Sequence, residues 1–81
     1  MKGEDLERIG FTKEGYVDKD KGSSVIHTFY RYNKYPMVLI TKSDIECDGD
    51  YTVYFFENRN IFFRDLDHLS SFLSLFKAAV R

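Results

Sequence analysis

The sequence predicts an α+β fold: a short N-terminal helix, an antiparallel β-meander of four to five strands, and an amphipathic C-terminal helix packed on one sheet face. Three observations favour this fold. An acidic segment that ends in glycine opens the chain, and short runs of β-branched and aromatic residues separated by turn residues fill its middle. A longer segment with apolar residues at helical spacing closes it.

The first predicted element is a helix over residues 4–9. Acidic residues lie in its first turn, where they complement the positive end of the helix dipole. Leu6 and Ile9 fall on one face of the helix. Gly10 follows where a left-handed residue is wanted to end it, so we expect Phe11 to pack back on Leu6.

The middle of the chain predicts strands over residues 16–19, 24–32, 37–42, 51–57 and 61–64, the first of them at a sheet edge. Residues 20–23 have turn chemistry and would join the first two strands. Pro36 cannot donate a ladder hydrogen bond, so the third strand should begin just after it. Asp48-Gly49 predicts a hairpin turn before the fourth strand.

The C-terminal helix is the clearest element in the sequence. Asp65 is a natural N-cap, Asp67 complements the positive helix start, and Lys77 and Arg81 complement the negative end. At about 100° per residue, one half of the helical wheel is apolar. This half contains Leu66, Leu69, Phe72, Leu73, Leu75, Phe76, Ala79 and Val80. The pattern therefore predicts that this half is buried.

Length and composition fit a single domain over residues 1–81 whose core depends on eight Phe and six Tyr. Cys47 is the only cysteine, which excludes an internal disulfide and a cysteine cluster for a metal, and favours a reducing compartment. No apolar run approaches the roughly 20 residues of a membrane span, and the polar, acidic start is unlike a secretory signal. The expected location is the cytoplasm, without membrane contact.

The charges nearly balance, because 12 Lys and Arg oppose 13 Asp and Glu for a formal net charge of −1. The field of the whole molecule would therefore neither attract nucleic acid nor imitate it. Nucleic-acid binding would need a local basic patch.

Both faces of the predicted sheet carry apolar side chains. In the second strand, Val25, His27, Phe29 and Arg31 alternate with Ile26, Thr28, Tyr30 and Tyr32. One amphipathic helix cannot cover two apolar faces. Either the first helix covers the second face or a partner does.

Rings and cations alternate at the end of the second predicted strand, and we take this segment as the candidate partner-binding site. Its residues are Tyr30, Arg31, Tyr32, Lys34 and Tyr35. Tyr and Arg are frequent anchors of protein interfaces, and the same composition can stack bases and neutralise phosphates. The alternative is a set of half-buried strand aromatics beside solvated charges that lead into a turn.

The remaining candidate sites point to ordinary structural roles. Residues 44–50 resemble the first half of an EF-hand loop, but Phe55 stands where the bidentate glutamate belongs, so we expect an acidic hairpin turn, with a weak cation site as the alternative. We expect His27 to be a polar neighbour of residues on adjacent strands, and His68 to be a surface histidine in the first turn of the terminal helix. The carboxylates around Cys47 disfavour its thiolate form. The sequence therefore predicts no catalytic residue, no metal, no cofactor and no small-molecule substrate.

The layout of the chain is similar to that of many short proteins of bacteriophages and mobile elements. The shared features are a helix that ends in Ile9-Gly10-Phe11, an aromatic β-meander, and the sequence Asp-Leu-Asp-His-Leu, residues 65–69, at the start of a terminal helix. Such proteins are often accessory factors or inhibitors of host defence that occupy a macromolecular surface. The resemblance implies a binding function and transfers no functional residue.

These observations favour a non-enzymatic protein–protein interaction module, with a protein partner or a second copy of the chain as its ligand. The alternative is a small nucleic-acid-binding domain that uses the aromatic and basic end of the second strand.

Overall fold

The computed structural model describes residues 1–18 and 25–79. Within these residues, three helices and five strands form the fold, in an order that matches the predicted one except for a short second helix. The elements are α1 (Gly3–Arg8), β1 (Thr12–Asp18), β2 (Val25–Lys34), β3 (Met37–Thr41), α2 (Asp44–Cys47), β4 (Val53–Phe55), β5 (Phe62–Phe63) and α3 (Leu66–Ala79).

The strands form one antiparallel sheet in the order β1-β2-β3-β4-β5, so the α+β fold and its meander are confirmed. β1 begins earlier than predicted, at Thr12 opposite Arg31, and pairs with β2 along its whole length. β4 and β5 are shorter than predicted. The predicted turn at residues 20–23, the strand ends at residues 19 and 24, and the helix end at residues 80–81 lie outside the described residues.

The stop of α1 agrees with the sequence prediction. Gly10 has a φ of 108°, a conformation that favours glycine. The Phe11 N–H donates to the Leu6 carbonyl at 2.9 Å, and both side chains are buried in the core. This contact ties the end of α1 to the start of β1.

Both terminal helices pack on the same face of the sheet, which we call the covered face. Residues opposite each other in the ladder share a face, which joins Tyr32, Leu39 and Phe55 in one row, and Thr41, Val53 and Phe63 in the next. These rows and Tyr30 form the covered face, and its buried apolar side chains belong to one cluster with Leu6 of α1 and Leu69 and Leu73 of α3. The first helix therefore does not cover the second face of the sheet.

Ring contacts hold the helices against the covered face. Near α1, the Phe11 and Tyr32 ring centroids lie 5.4 Å apart. On α3, Phe72 lies 5.8 Å from Phe55 and 5.1 Å from Phe63. The aromatic residues that dominate the composition thus build the core, as expected from their large apolar area.

Asp48-Gly49 forms a turn with positive φ at both residues between the antiparallel strands β3 and β4, as predicted, but it does not join them directly, because the helical turn α2 precedes it in the connection. Ser43 is the N-cap of α2, and the Ser43 hydroxyl accepts from the Glu46 N–H at 3.4 Å. Ser43 and Glu46 have the spacing of a capping box, which favours a helix start. Asp48 ends the turn in the left-handed conformation with a φ of 54°.

β4 begins two residues later than predicted because the backbone N–H and carbonyl groups of Tyr51 are hydrogen-bonded to Met1. The Tyr51 N–H donates to the Met1 carbonyl at 2.7 Å, and the Met1 ammonium donates to the Tyr51 carbonyl at 3.0 Å. The same ammonium group lies 2.6 Å from Asp50 Oδ1.

α3 is amphipathic as predicted, although its buried stripe is narrower. Leu69 and Leu73 are buried and Phe72 and Phe76 half-buried, whereas Leu75 is 72% exposed. The sheet side of α3 therefore centres on Leu69 and Leu73. In the described part of the chain, no helix combines the length and apolar character needed to cross a bilayer.

Candidate binding surface on the open sheet face

The second face of the sheet carries neither terminal helix, and we call it the open face. The ladder places Tyr16 opposite His27, Arg31 opposite Ile40, and Tyr54 opposite both Ile40 and Phe62. With the strand alternation, the register assigns to it Glu14, Tyr16, His27, Phe29, Arg31, Val38, Ile40, Tyr54 and Phe62.

Large rings on the open face reach solvent. Tyr16 is 47% exposed and Phe62 45%, whereas Phe29 and Tyr54 are half-buried between them. Tyr16 stacks on the imidazole of His27, with ring centroids 4.8 Å apart. Tyr16 contacts Phe29 at 6.0 Å and Phe62 contacts Tyr54 at 6.0 Å, so two pairs of partly exposed rings flank the middle of the face, the kind of apolar surface that marks interaction sites.

Cations lie over three of these rings. The guanidinium carbon of Arg31 is 5.8 Å from the Phe29 ring centroid, and that of Arg64 is 5.0 Å from the Phe62 centroid. The Lys42 ammonium is 5.9 Å from the Tyr54 centroid. Arg31 also pairs with Glu14 at 3.2 Å, so Lys42 and Arg64 supply the less compensated positive charge.

A groove of about 300 Å³ opens beside the end of β3, and we call it the anchor groove. Its half-buried lining residues are Phe29, Ile40 and Tyr54, and its exposed ones are Tyr16, Lys42, Glu46 and Arg59. Thr41 and Ser43 complete the lining. The groove therefore combines an apolar base with a charged rim.

The two buried hydroxyl groups of the anchor groove already serve the backbone. Thr41 Oγ1 accepts from the Tyr30 N–H at 3.0 Å and donates to the Lys42 carbonyl at 2.9 Å. Ser43 Oγ caps α2. These hydroxyls fix the end of β3, a structural task that leaves little freedom for nucleophilic chemistry.

Asp44 holds α2 against β2 and so shapes one side of the groove. Its Oδ1 accepts from the Thr28 N–H and from the Ile45 N–H, both at 3.0 Å. The carboxylate thereby satisfies a backbone donor of β2 where β3 has already ended.

The structure divides the predicted partner-binding segment among three locations. Tyr30 and Tyr32 lie on the covered face and are only 5% and 6% exposed. Arg31 lies on the open face, because successive strand residues point to opposite sides. Lys34 and Tyr35 lie at the turn before β3, where Tyr35 is 89% exposed. Of the five residues, only Arg31 joins the open face.

Sequence reasoning missed most of the rings on the open face. Tyr16, Phe29, Tyr54 and Phe62 are scattered over four strands, and only the pairing register brings them together. The available signal was that both faces of the strands are apolar. Apolar residues on both faces indicate that both faces must be covered, but they do not identify the face that the helices leave open.

The titratable groups Cys47 and Asp50, in and next to α2, interact with neighbouring groups of the fold that shift their pKa values. Burial, with smaller contributions from Asp44 and Asp50, raises the pKa of the Cys47 thiol, and Sγ donates to the Ser43 carbonyl at 3.1 Å. The thiolate form of Cys47 is thus disfavoured, as expected, but burial of the thiol raises its pKa more than the neighbouring carboxylates do. Hydrogen bonding to the Met1 ammonium lowers the pKa of Asp50.

The histidines lie in different surroundings. His27 stacks on Tyr16 in the sheet, whereas His68 is largely exposed on α3 with its Nδ1 3.7 Å from Asp65 Oδ2. Within residues 1–18 and 25–79, no group of three His, Cys, Asp or Glu side chains is arranged to hold a metal ion.

Comparisons of the chain with protein-family models, with curated proteins and with solved structures give no match. The layout resemblance to proteins of phages and mobile elements therefore stays a prediction. The open face combines partly exposed rings, cations over these rings and the anchor groove.

Proposed function

We propose that this chain is a non-enzymatic protein-interaction module that docks an acidic surface of a partner protein on its open face. The observation that carries the proposal is the placement of both terminal helices on one face of the sheet, which leaves Tyr16 and Phe62 about half exposed on the other. Phe, Tyr and Arg side chains are enriched at the centres of protein interfaces.

The charges of the open face suggest the chemistry of the partner. Lys42 and Arg64 lie over aromatic rings, and Arg59 is exposed beside them. Glu14 is engaged by Arg31, and Lys42, Arg59 and Arg64 outnumber Glu46 among the remaining described charges, so this part of the face is positive. An acidic partner surface would gain charge complementarity and a faster association rate.

The size of the open face favours a modest contact. Five strands at about 4.8 Å spacing and about five residues of 3.3 Å each give roughly 400 Å². A stable interface buries about 800 Å² per partner. The open face alone therefore suits a transient contact or one part of a larger interface.

The groove supports a binding role over a catalytic one. Its hydroxyls at Thr41 and Ser43 are used by the backbone, and His27 stacks on Tyr16 at the outer strands. The single cysteine and the phage-like layout favour a cytoplasmic role of this kind, as an accessory factor or a host-defence inhibitor.

Single-stranded nucleic acid is the second candidate ligand, and one observation favours it. Three cations lie over rings on an open antiparallel face, and rings with neighbouring cations can stack bases and neutralise phosphates. Glu14 and Glu46 on the same face oppose a polyanion. This candidate requires affinity that falls steeply with salt.

Site-specific photo-cross-linking tests the proposal. A benzophenone amino acid replaces Phe62 on the open face in one protein and Leu75 on the solvent side of α3 in another. In extracts of the cells that encode the chain, we expect a discrete protein adduct only from position 62. Mass spectrometry identifies the partner, and its affinity is then measured with purified proteins.

Charge reversal beside the probe separates specific docking from adhesion. Arg64→Glu should abolish the adduct at position 62, and Lys77→Glu on α3 is the control with the same change in net charge. Adducts of equal yield from both probe positions, or adducts only with RNA or with the chain itself, would contradict the proposal.

A further inference from the structure

We propose that the anchor groove binds one large apolar side chain of an extended partner segment, flanked by carboxylates that pair with Lys42 and Arg59. This inference rests on the proposed function and specifies the partner's contact residue. Interface energy usually concentrates in a few side chains that fill pockets.

The dimensions of the groove suit a single side chain. Its volume of about 300 Å³ is at the lower limit for sites that enclose small organic ligands, which span roughly 300–1,000 Å³. An aromatic side chain brings about 150–250 Å² of area, part of which such a groove would remove from water.

The base of the groove selects for an apolar group. Phe29, Ile40 and Tyr54 offer ring and aliphatic surfaces, and aromatic side chains pack well on such rings. Thr41 Oγ1 already accepts from Tyr30 and donates to the Lys42 carbonyl. A polar side chain in the groove would therefore lose hydrogen bonds to water that the groove does not fully replace.

The rim of the groove selects for carboxylates. Among the described residues of the rim, Lys42 and Arg59 oppose Glu46, which leaves one excess positive charge. Lys42 already extends over the Tyr54 ring, and its apolar stem can cover an inserted side chain while its ammonium group meets a carboxylate. The expected ligand is thus an acidic segment with a central Phe, Tyr or Leu.

NMR titration of the full chain, labelled with ¹⁵N, tests this assignment with three short synthetic peptides of equal length. The first is Gly-Asp-Glu-Phe-Glu-Asp-Gly, the second replaces its Phe by Ala, and the third replaces its acidic residues by Lys. We expect amide shifts around Ile40, Lys42 and Tyr54 with the first peptide, and at least about fivefold weaker binding of the other two.

Variants assign the charge dependence to the rim. Lys42→Glu combined with Arg59→Glu should raise the Kd of the first peptide about tenfold, and Lys34→Glu combined with Lys77→Glu is the charge-matched control. An unchanged spectrum of Tyr30 and Leu39 verifies the fold of each variant. Equal binding of the three peptides, shifts confined to another surface, or tighter binding of oligothymidylate would overturn the assignment.

The outcomes separate this inference from the proposed function. If position 62 still gives the partner adduct while the peptides leave the groove unshifted, the groove assignment fails and the docking role of the open face stands. If position 62 gives no adduct, the proposed function fails as well.

Discussion

The two faces of the sheet use similar residues in different surroundings. On the covered face, Leu39 and Val53 are fully buried beneath the terminal helices, while on the open face Tyr16 and Phe62 remain about half exposed. Phe62 and Phe63 are neighbours in β5, yet only Phe63 packs against Phe72 of α3. The comparison teaches that the position of the helices, and not the apolar character of a strand, decides which face becomes the core.

The largest expected effect comes from the covered side. Leu73→Ala removes a side chain that is 2% exposed under the sheet, and we expect it to lower the free energy of unfolding by about 2–5 kcal/mol. Leu75→Ala makes the same change in the same helix on the solvent side and should alter it by less than about 0.5 kcal/mol. Urea unfolding followed by circular dichroism measures both. Equal losses would contradict the assigned faces of α3.

A smaller effect compares the two faces within one strand. Phe63→Ala removes ring contacts with Phe55 and Phe72, and should cost about 2 kcal/mol, below the range for a fully buried Phe because the side chain is half-buried. Phe62→Ala should cost about 1 kcal/mol or less and should weaken partner docking instead. Urea unfolding and partner affinity are the measurements. A larger stability loss for Phe62→Ala would reverse the assignment of the faces.

The end of α1 offers a backbone test of how this helix is held on the covered face. Gly10→Ala places a side chain at a φ of 108°, with its Cβ 3.3 Å from the Tyr32 ring, and should destabilise the fold by about 1–3 kcal/mol. In Gly49→Ala, the φ of 77° is also unfavourable, but the added methyl group meets no atom of the described residues within 4 Å. Thermal unfolding should therefore show the larger decrease for Gly10→Ala.

The smallest effect is a pH dependence from the covered face. Burial, followed by Asp44, raises the pKa of Tyr51 to about 12 from 10.0. Stability from the neutral phenol is therefore fully present below pH 10 and is lost as pH rises towards 12. Unfolding free energies at pH 8 and pH 11 should differ less in Tyr51→Phe than in the parent chain, with Tyr35→Phe as the control for hydroxyl loss. An unchanged difference would contradict the burial of Tyr51.

The ends of the chain were predictable because their signals are local. The acidic first turn specifies the start of α1, Gly10 and Phe11 specify its stop, and the apolar spacing from Leu69 to Phe76 specifies α3. The turn at Asp48-Gly49 was predicted, but the helical turn α2 before it was missed, although Ser43 and Glu46 form an N-terminal helix signal. The contact of Met1 with Tyr51, which shortens β4, depends on residues far apart in the sequence.

The candidate site was harder to predict because it depends on register. The segment from Tyr30 to Tyr35 groups rings and cations in sequence, but strand alternation sends Tyr30 and Tyr32 into the core and Arg31 to the opposite face. Tyr16 and Phe62 are distant in sequence and reach one surface only through the pairing of five strands. The sequence indicates that both sheet faces are apolar and that one helix cannot cover both. Only the fold shows which face has no helix on it.

Solvent accessibility measured ring by ring tests the central claim most directly. A soluble gadolinium chelate broadens NMR signals according to their distance from solvent, so the aromatic protons of each ring report on its own face. We expect strong broadening for Tyr16 and Phe62, and protection for Tyr30 and Tyr32. Equal protection of Phe62 and Tyr32 would show that the open face is covered and would contradict its role as the docking surface.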